Sequence, residues 1–180
     1  MKINCVIGID PGAAGGIAVW MPGRNVVTVK MPKDIADIRD FMAYHATNFH
    51  PIVFLEKLSV RPDDVAVEGN RMGKLYRIQK LMANYEHLKA IIETAGIPYV
   101  LVHPMTWQTK LKLRVRGSKE EKAERKRRYR DTAAKMYPAN VTLWNADAIL
   151  IMHFGRWALV NDAQWVKSNL PKREQDKIFE

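Results

Sequence analysis

Cysteine is nearly missing from this chain of 180 residues: Cys5 is the single one. One thiol closes no internal disulfide and builds no thiolate metal cage, so neither a stapled secreted module nor a zinc ribbon is expected, and redox chemistry is not expected either. Long apolar runs are absent too. Nothing approaches the ~20 residues a membrane helix needs, and Asp10 arrives before a secretory signal core could form, which sets the expectation of a cytoplasmic protein. The five histidines, His45, His50, His87, His103 and His153, lack zinc-helix spacing and any Cys partner. No internal repeat, low-complexity stretch or linker interrupts the chain. Hydrophobic residues make up 47% of it, enough for a sizeable core and too many for a disordered basic tail. The run 69–74 is one residue short of a phosphate loop and is followed by Leu75 where Ser or Thr is required, so it is discounted as a nucleotide site.

Acidic residues are also scarce, 19 against 29 Lys and Arg, for a net charge of +10. Half of the story is where the excess lies. Residues 110–131 hold eleven basic side chains and four acidic ones, a net +7 that leaves only +3 for the rest. A positive field this concentrated suits a polyphosphate partner, most simply nucleic acid. The plainer alternative is a solvated helix face laced with ion pairs through Glu120, Glu121 and Glu124. Trp107 and Tyr129, at the edge of this run and within it, are candidates either to stack on bases or to anchor the core.

Hydrophobic periodicity predicts the elements. Residues 3–9 form a buried strand ending at Asp10-Pro11-Gly12. Residues 15–20 and 25–30, split by the turn Met21-Pro22-Gly23-Arg24, complete an antiparallel meander. A helix follows from Asp34 to before Pro51, then a buried strand ending at Glu56. A long helix over 72–94, stopped by Gly96, carries Leu75, Ile78, Leu81, Met82, Tyr85, Leu88 and Ile92 as its apolar stripe. Residues 97–102 make a fifth strand, and Pro104 opens a helix around Trp107. The basic helix is expected from Ser118, capped with Glu121, to about Tyr137. A last helix from near Asn145 carries Leu150, Ile151, Phe154 and Ala158. Right-handed crossovers place the fourth and fifth strands parallel to the first, giving a mixed five-stranded α/β sheet flanked by helices.

Three acids stand out in this frame. Asp10 and Glu56 each terminate a buried strand, and parallel strands project both carboxylates from one sheet edge. Neighbouring strands lie ~4.8 Å apart, within reach of a metal pair spaced ~3.5–4 Å. Asp147 precedes Leu150, Ile151 and Phe154 by three, four and seven residues, so it shares their inward face. Each acid alone has an ordinary role: Asp10 shaping a turn, Glu56 a solvated strand end, Asp147 near a helix N-terminus with Asn145 as cap. Together they would be three coincidences at one rim. Converging carboxylates repel one another and titrate upward unless a divalent cation stands among them, and oxygen-only donors favour Mg²⁺ or Mn²⁺.

The segments Ile7-Gly8-Ile9-Asp10-Pro11-Gly12, Gly15-Gly16-Ile17-Ala18, Phe54-Leu55-Glu56 and Asp147-Ala148-Ile149-Leu150 resemble the RuvC-type Holliday junction resolvases of the RNase H-like superfamily. Residues 73–98, with Val102-His103-Pro104 and Trp107, resemble its phage-type branch. The likeness covers nearly all of 5–155. Actin-like and sugar-kinase ATPases share a similar Asp-Gly turn but need two such domains. The resemblance implies an RNase H-like nuclease domain over 1–160, with a basic segment at 107–131 and a peripheral tail at 161–180. It also implies two Mg²⁺ ions, or Mn²⁺ in their place, held by Asp10, Glu56 and Asp147, which activate a water and stabilise the leaving 3′ oxygen. A homodimer formed through the helix over 72–94 would nick a four-way junction symmetrically, in the host cytoplasm if the protein is phage-encoded. DNA contacts are expected from Lys74, Trp107, Lys110, Lys112, Arg114, Arg116, Lys119, Lys122, Arg125 and Lys126. RuvC proteins usually carry a further Asp or His three residues before the last Asp. Here that residue is Trp144, leaving three carboxylates, or a residue such as Asn145 binding through water. Some relatives carry an aromatic wedge where this chain has Ser59.

The leading reading is therefore a Mg²⁺-dependent, structure-selective DNA endonuclease. Two rivals remain open: a catalytically silent nucleic-acid-binding module of the same fold, and an RNA-directed nuclease of that fold. An ATPase ranks last.

Overall fold

In a computed structural model the described residues are 3–59, 71–114, 120–137 and 140–179, the side chains of 71, 72, 74 and 176–179 excepted. Cys5–Asp10 (β1), Gly16–Trp20 (β2) and Val27–Lys30 (β3) form the antiparallel meander. Pro51–Glu56 (β4) and Tyr99–Val102 (β5) run parallel to β1, so the sheet order is β3-β2-β1-β4-β5. This is the mixed five-stranded sheet the sequence predicts. Its helices are Ile35–Asn48 (α1), Arg71–Thr94 (α2), Pro104–Lys110 (α3), Lys122–Met136 (α4), Ala146–Asn161 (α5), Ala163–Asn169 (α6) and Lys172–Phe179 (α7).

Local chemistry sets the boundaries. Asp34 caps α1 by accepting from the Ala36 N–H at 2.8 Å. Gly96, at φ +67°, ends α2 in a Schellman closure: its N–H donates to the Glu93 carbonyl at 3.0 Å and that of Ile97 to Ile92 at 3.1 Å. That closure occupies Ile97, so β5 starts two residues later than the apolar run suggests. The basic helix begins at Lys122, later than expected. Glu121 flanks it without a side-chain cap, and Ser118 lies outside the described residues. In its place, Arg128 grips Glu120 through Nε at 2.8 Å and a terminal nitrogen at 2.6 Å, and bonds the Leu113 carbonyl with its other nitrogen.

Strand alternation divides the core. Cys5, Ile7, Ile9, Val53 and Leu55 face α1 and the C-terminal half of α2, where Tyr85, Leu88 and Ile92 are buried. Val6, Ile52, Phe54, Val100 and Val102 face α5, backed by α3 and α4. Helix α5 lies directly on β1: a Cβ at Gly8 would run into the backbone of Ala148 and Met152, and one at Gly155 into the Phe54 ring. These close approaches fix the height of α5's first turn over the end of β1. The polar tail contributes as well, since Val166 and Leu170 are buried in the α5-side core.

Candidate active site

Asp10 and Glu56 each follow the last residue paired between β1 and β4, Ile9 with Leu55. Two residues beyond Gly8 and Phe54 respectively, both take the sheet face that meets α5. Asp147, in the first turn of α5, is 8% exposed and completes the trio. Neighbouring backbone shapes the floor. The Gly12 N–H donates to Asp10 Oδ1 at 3.1 Å, and the loop folds so tightly that a Cβ on Gly15 would sit 2.6 Å from Asp10 Cγ. Only glycine fits there.

The carboxylates sense one another. Burial raises the pKa of Asp10; the Gly12 N–H opposes this, the charge of Asp147 adds to it and that of Lys126 opposes it. Glu56 is pushed up to about 7, first by burial and next by Asp10. The Trp107 N–H and Lys126 resist that push, and Asp147 adds to it. Three carboxyl groups and one ammonium therefore lie close enough to act on one another's charge. Lys126 Nζ is bonded to Asp147 Oδ2, while Asp147 Oδ1 is buried with no hydrogen-bond partner among the described residues. As placed, no three acidic, His or Cys side chains among the described residues close around a single ion. The chemistry nevertheless fits a divalent cation: oxygen donors only, mutual repulsion, and an orphaned buried oxygen. The arrangement is an open set whose third member is turned to an ammonium.

Two contacts were not legible beforehand. Lys126 was expected on DNA, yet it precedes the buried Tyr129 and Ala133 by three and seven residues, the spacing of α4's inward face. Trp107 was expected as a DNA contact too. Its ring is 0% exposed and packs edge-to-face on Tyr129 at 5.5 Å, so it cannot stack on a base. Its N–H donates to Glu56 Oε2 at 2.9 Å. Tyr129, 3% exposed, is likewise a core anchor. Asn145 is no ligand either: its amide donates to Thr28 Oγ1 and the Asn140 carbonyl and accepts from the N–H and hydroxyl of Thr142. Trp144 lies on Gly16, the residue paired with Asp10, so close that a Cβ there would be 2.8 Å from its ring.

Among the expected DNA contacts, Lys112, Arg114, Lys122 and Arg125 are exposed. Lys110 is half-exposed, 3.9 Å from Asp162 and 5.0 Å from the Trp157 ring centroid. Arg116, Lys119 and the side chain of Lys74 lie outside the described residues. Ser59 is exposed just beyond β4. No helix among the described residues is long and apolar enough to cross a membrane.

No protein-family model and no curated protein matches the sequence. Solved structures do. A Thermus thermophilus RuvC in complex with a Holliday junction substrate superposes with a TM-score of 0.54 at 18% identity, covering 88% of this chain and 96% of that one. The chain has the RuvC fold. A second structure of Thermus thermophilus RuvC agrees, with a TM-score of 0.54 at 16% identity over 87% of this chain and 95% of that one. At such identities the shared RNase H-like fold is what the likeness shows.

Proposed function

We propose that the protein is a divalent-metal-dependent, structure-selective DNA endonuclease that resolves four-way junctions as a homodimer by paired symmetric nicks. The observation that carries this reading is the trio of carboxylates at one rim of the RuvC fold, with a buried Asp147 oxygen that has no partner among the described residues. Asp10, Glu56 and Asp147 would hold the metal. When bound, Mg²⁺ supplies an activated water and charge stabilisation for the leaving oxygen of a phosphodiester. The chain's own groups do the rest. The Gly12 N–H holds Asp10, and α5, seated on Gly8, holds Asp147 at the sheet edge. Lys126 neutralises one carboxylate and keeps a positive charge where a phosphate arrives. Lys112, Arg114, Lys122 and Arg125 carry exposed charge for the DNA backbone. The dimer is supported by α2, whose N-terminal half leaves Tyr76 66% exposed and Leu75 and Ile78 only half-buried.

The test is cleavage of a four-way junction in Mg²⁺ against EDTA, with linear duplex as control. Metal-dependent cutting of the junction and not of the duplex is expected; no cutting in Mg²⁺ or Mn²⁺ refutes the enzyme. A second reading, a nucleic-acid-binding module without catalysis, is favoured by the ammonium on Asp147 and by Trp144 in place of a fourth acid. In that case the junction shifts on a gel and stays intact.

A further inference from the structure

Resting on the carboxylate site just described, we propose that Trp107 is a positioning residue for Glu56: its buried indole N–H fixes the carboxylate by one oxygen and turns the other toward the metal. The route from sequence to contact is short. Val102 pairs with Glu56 across the β4–β5 ladder. The chain then turns at His103, whose ring accepts from the Met105 N–H at 3.2 Å, and Pro104 opens α3. One turn later Trp107 falls back over the end of β4.

A buried tryptophan needs one acceptor for its N–H, and a core carbonyl would serve that purpose. What Trp107 has found is a carboxylate that burial and two neighbouring acids push toward neutrality. Its donation to Oε2 at 2.9 Å is the one hydrogen bond the Glu56 carboxylate receives among the described residues. The terminal torsion of a glutamate is soft, so an unbonded carboxylate would rotate freely. The indole itself is rigid: fully buried, held edge-to-face against Tyr129, and part of the α5-side core. Glu56 thus inherits the rigidity of the core at the point where it must present an oxygen. Partners of this kind set ligand orientation and basicity, and their loss costs ~10–100-fold in metal affinity or activity.

The experiment is Mn²⁺ titration calorimetry on DNA-free wild type, Trp107→Phe, Glu56→Ala and the double variant, with junction binding measured in EDTA. Phenylalanine keeps an apolar ring and removes the donor. The expected result is Mn²⁺ affinity at least tenfold weaker in W107F, junction binding unchanged, and no further loss when W107F is added to E56A, because Trp107 acts only through Glu56. A folded W107F with wild-type Mn²⁺ affinity overturns the positioning role, and junction cleavage by wild type then leaves the proposed function standing. Wild type that takes up no Mn²⁺ overturns both. Should W107F fail to fold, indole N–H resonances of the full-length protein decide: the peak that moves in E56A must also move when wild type is titrated with Mg²⁺, and a peak indifferent to Mg²⁺ overturns the proposal.

Discussion

Glu56→Gln should stabilise the metal-free protein at alkaline pH, and the effect can be sized. Burial and the neighbouring acids move Glu56 from 4.5 to about 7, and each tenfold change in acidity is worth ~1.4 kcal/mol. Keeping this group ionised in the fold therefore costs about 3 kcal/mol. The folded pKa lies above the unfolded one, so between these values the folded chain holds a proton that the unfolded chain has released. Stability falls as pH rises from about 4.5 through about 7, and the loss is complete above that. Glutamine never ionises and still offers Trp107 an amide oxygen. In EDTA, E56Q and wild type should unfold at similar urea concentrations near pH 5 and diverge steadily toward pH 8. There the variant should be more stable by up to about 3 kcal/mol, roughly 5–10 °C in Tm for a chain of this size. Asp10, raised in the same direction, deepens the wild-type slope. Added Mg²⁺ should reverse the order, since a cation rewards the ionised form. If E56Q is no more stable than wild type at pH 8, or if the gap does not close toward pH 5, the picture of a mutually repelling buried trio is wrong.

Other consequences follow from the same geometry. Asp10→Asn and Asp147→Asn should each abolish junction cleavage while leaving junction affinity in EDTA within a few-fold, read by gel shift alongside product formation. Lys126→Met removes the ammonium from Asp147 Oδ2; at ~1.5–3 kcal/mol for a hydrogen bond to a charged group, the metal-free variant should lose about 2 kcal/mol. Its melting temperature should then rise more with added Mg²⁺ than wild type's does, and equal melting curves would show the pair to be idle. Arg125→Ala should flatten the dependence of log affinity on log salt by about one phosphate, with little change in the cleavage rate of bound junction.

Much of the molecule follows from local pattern. Asp10 and Glu56 each end a continuous apolar strand, β1 and β4, and the offsets from Asp147 to Leu150, Ile151 and Phe154 turn it inward. The strand ends and the helical offsets are properties of a few consecutive residues, whereas the meeting of Asp10 with Glu56 at one edge follows from the parallel pairing of β1 with β4. The turn at Gly23, the end of α2 at Gly96 and the cap at Asp34 are local in the same way. What tertiary structure alone decided is who answers those charges. Trp107 reaches Glu56 across 51 positions and Lys126 reaches Asp147 across 21, and no periodicity links residues so far apart. By composition both looked like DNA contacts, an aromatic beside a basic run and a cation within it. Packing assigned them inward instead, because a carboxylate withdrawn from water must find a donor or a counter-charge, and once the sheet and α5 had closed these were the groups within reach.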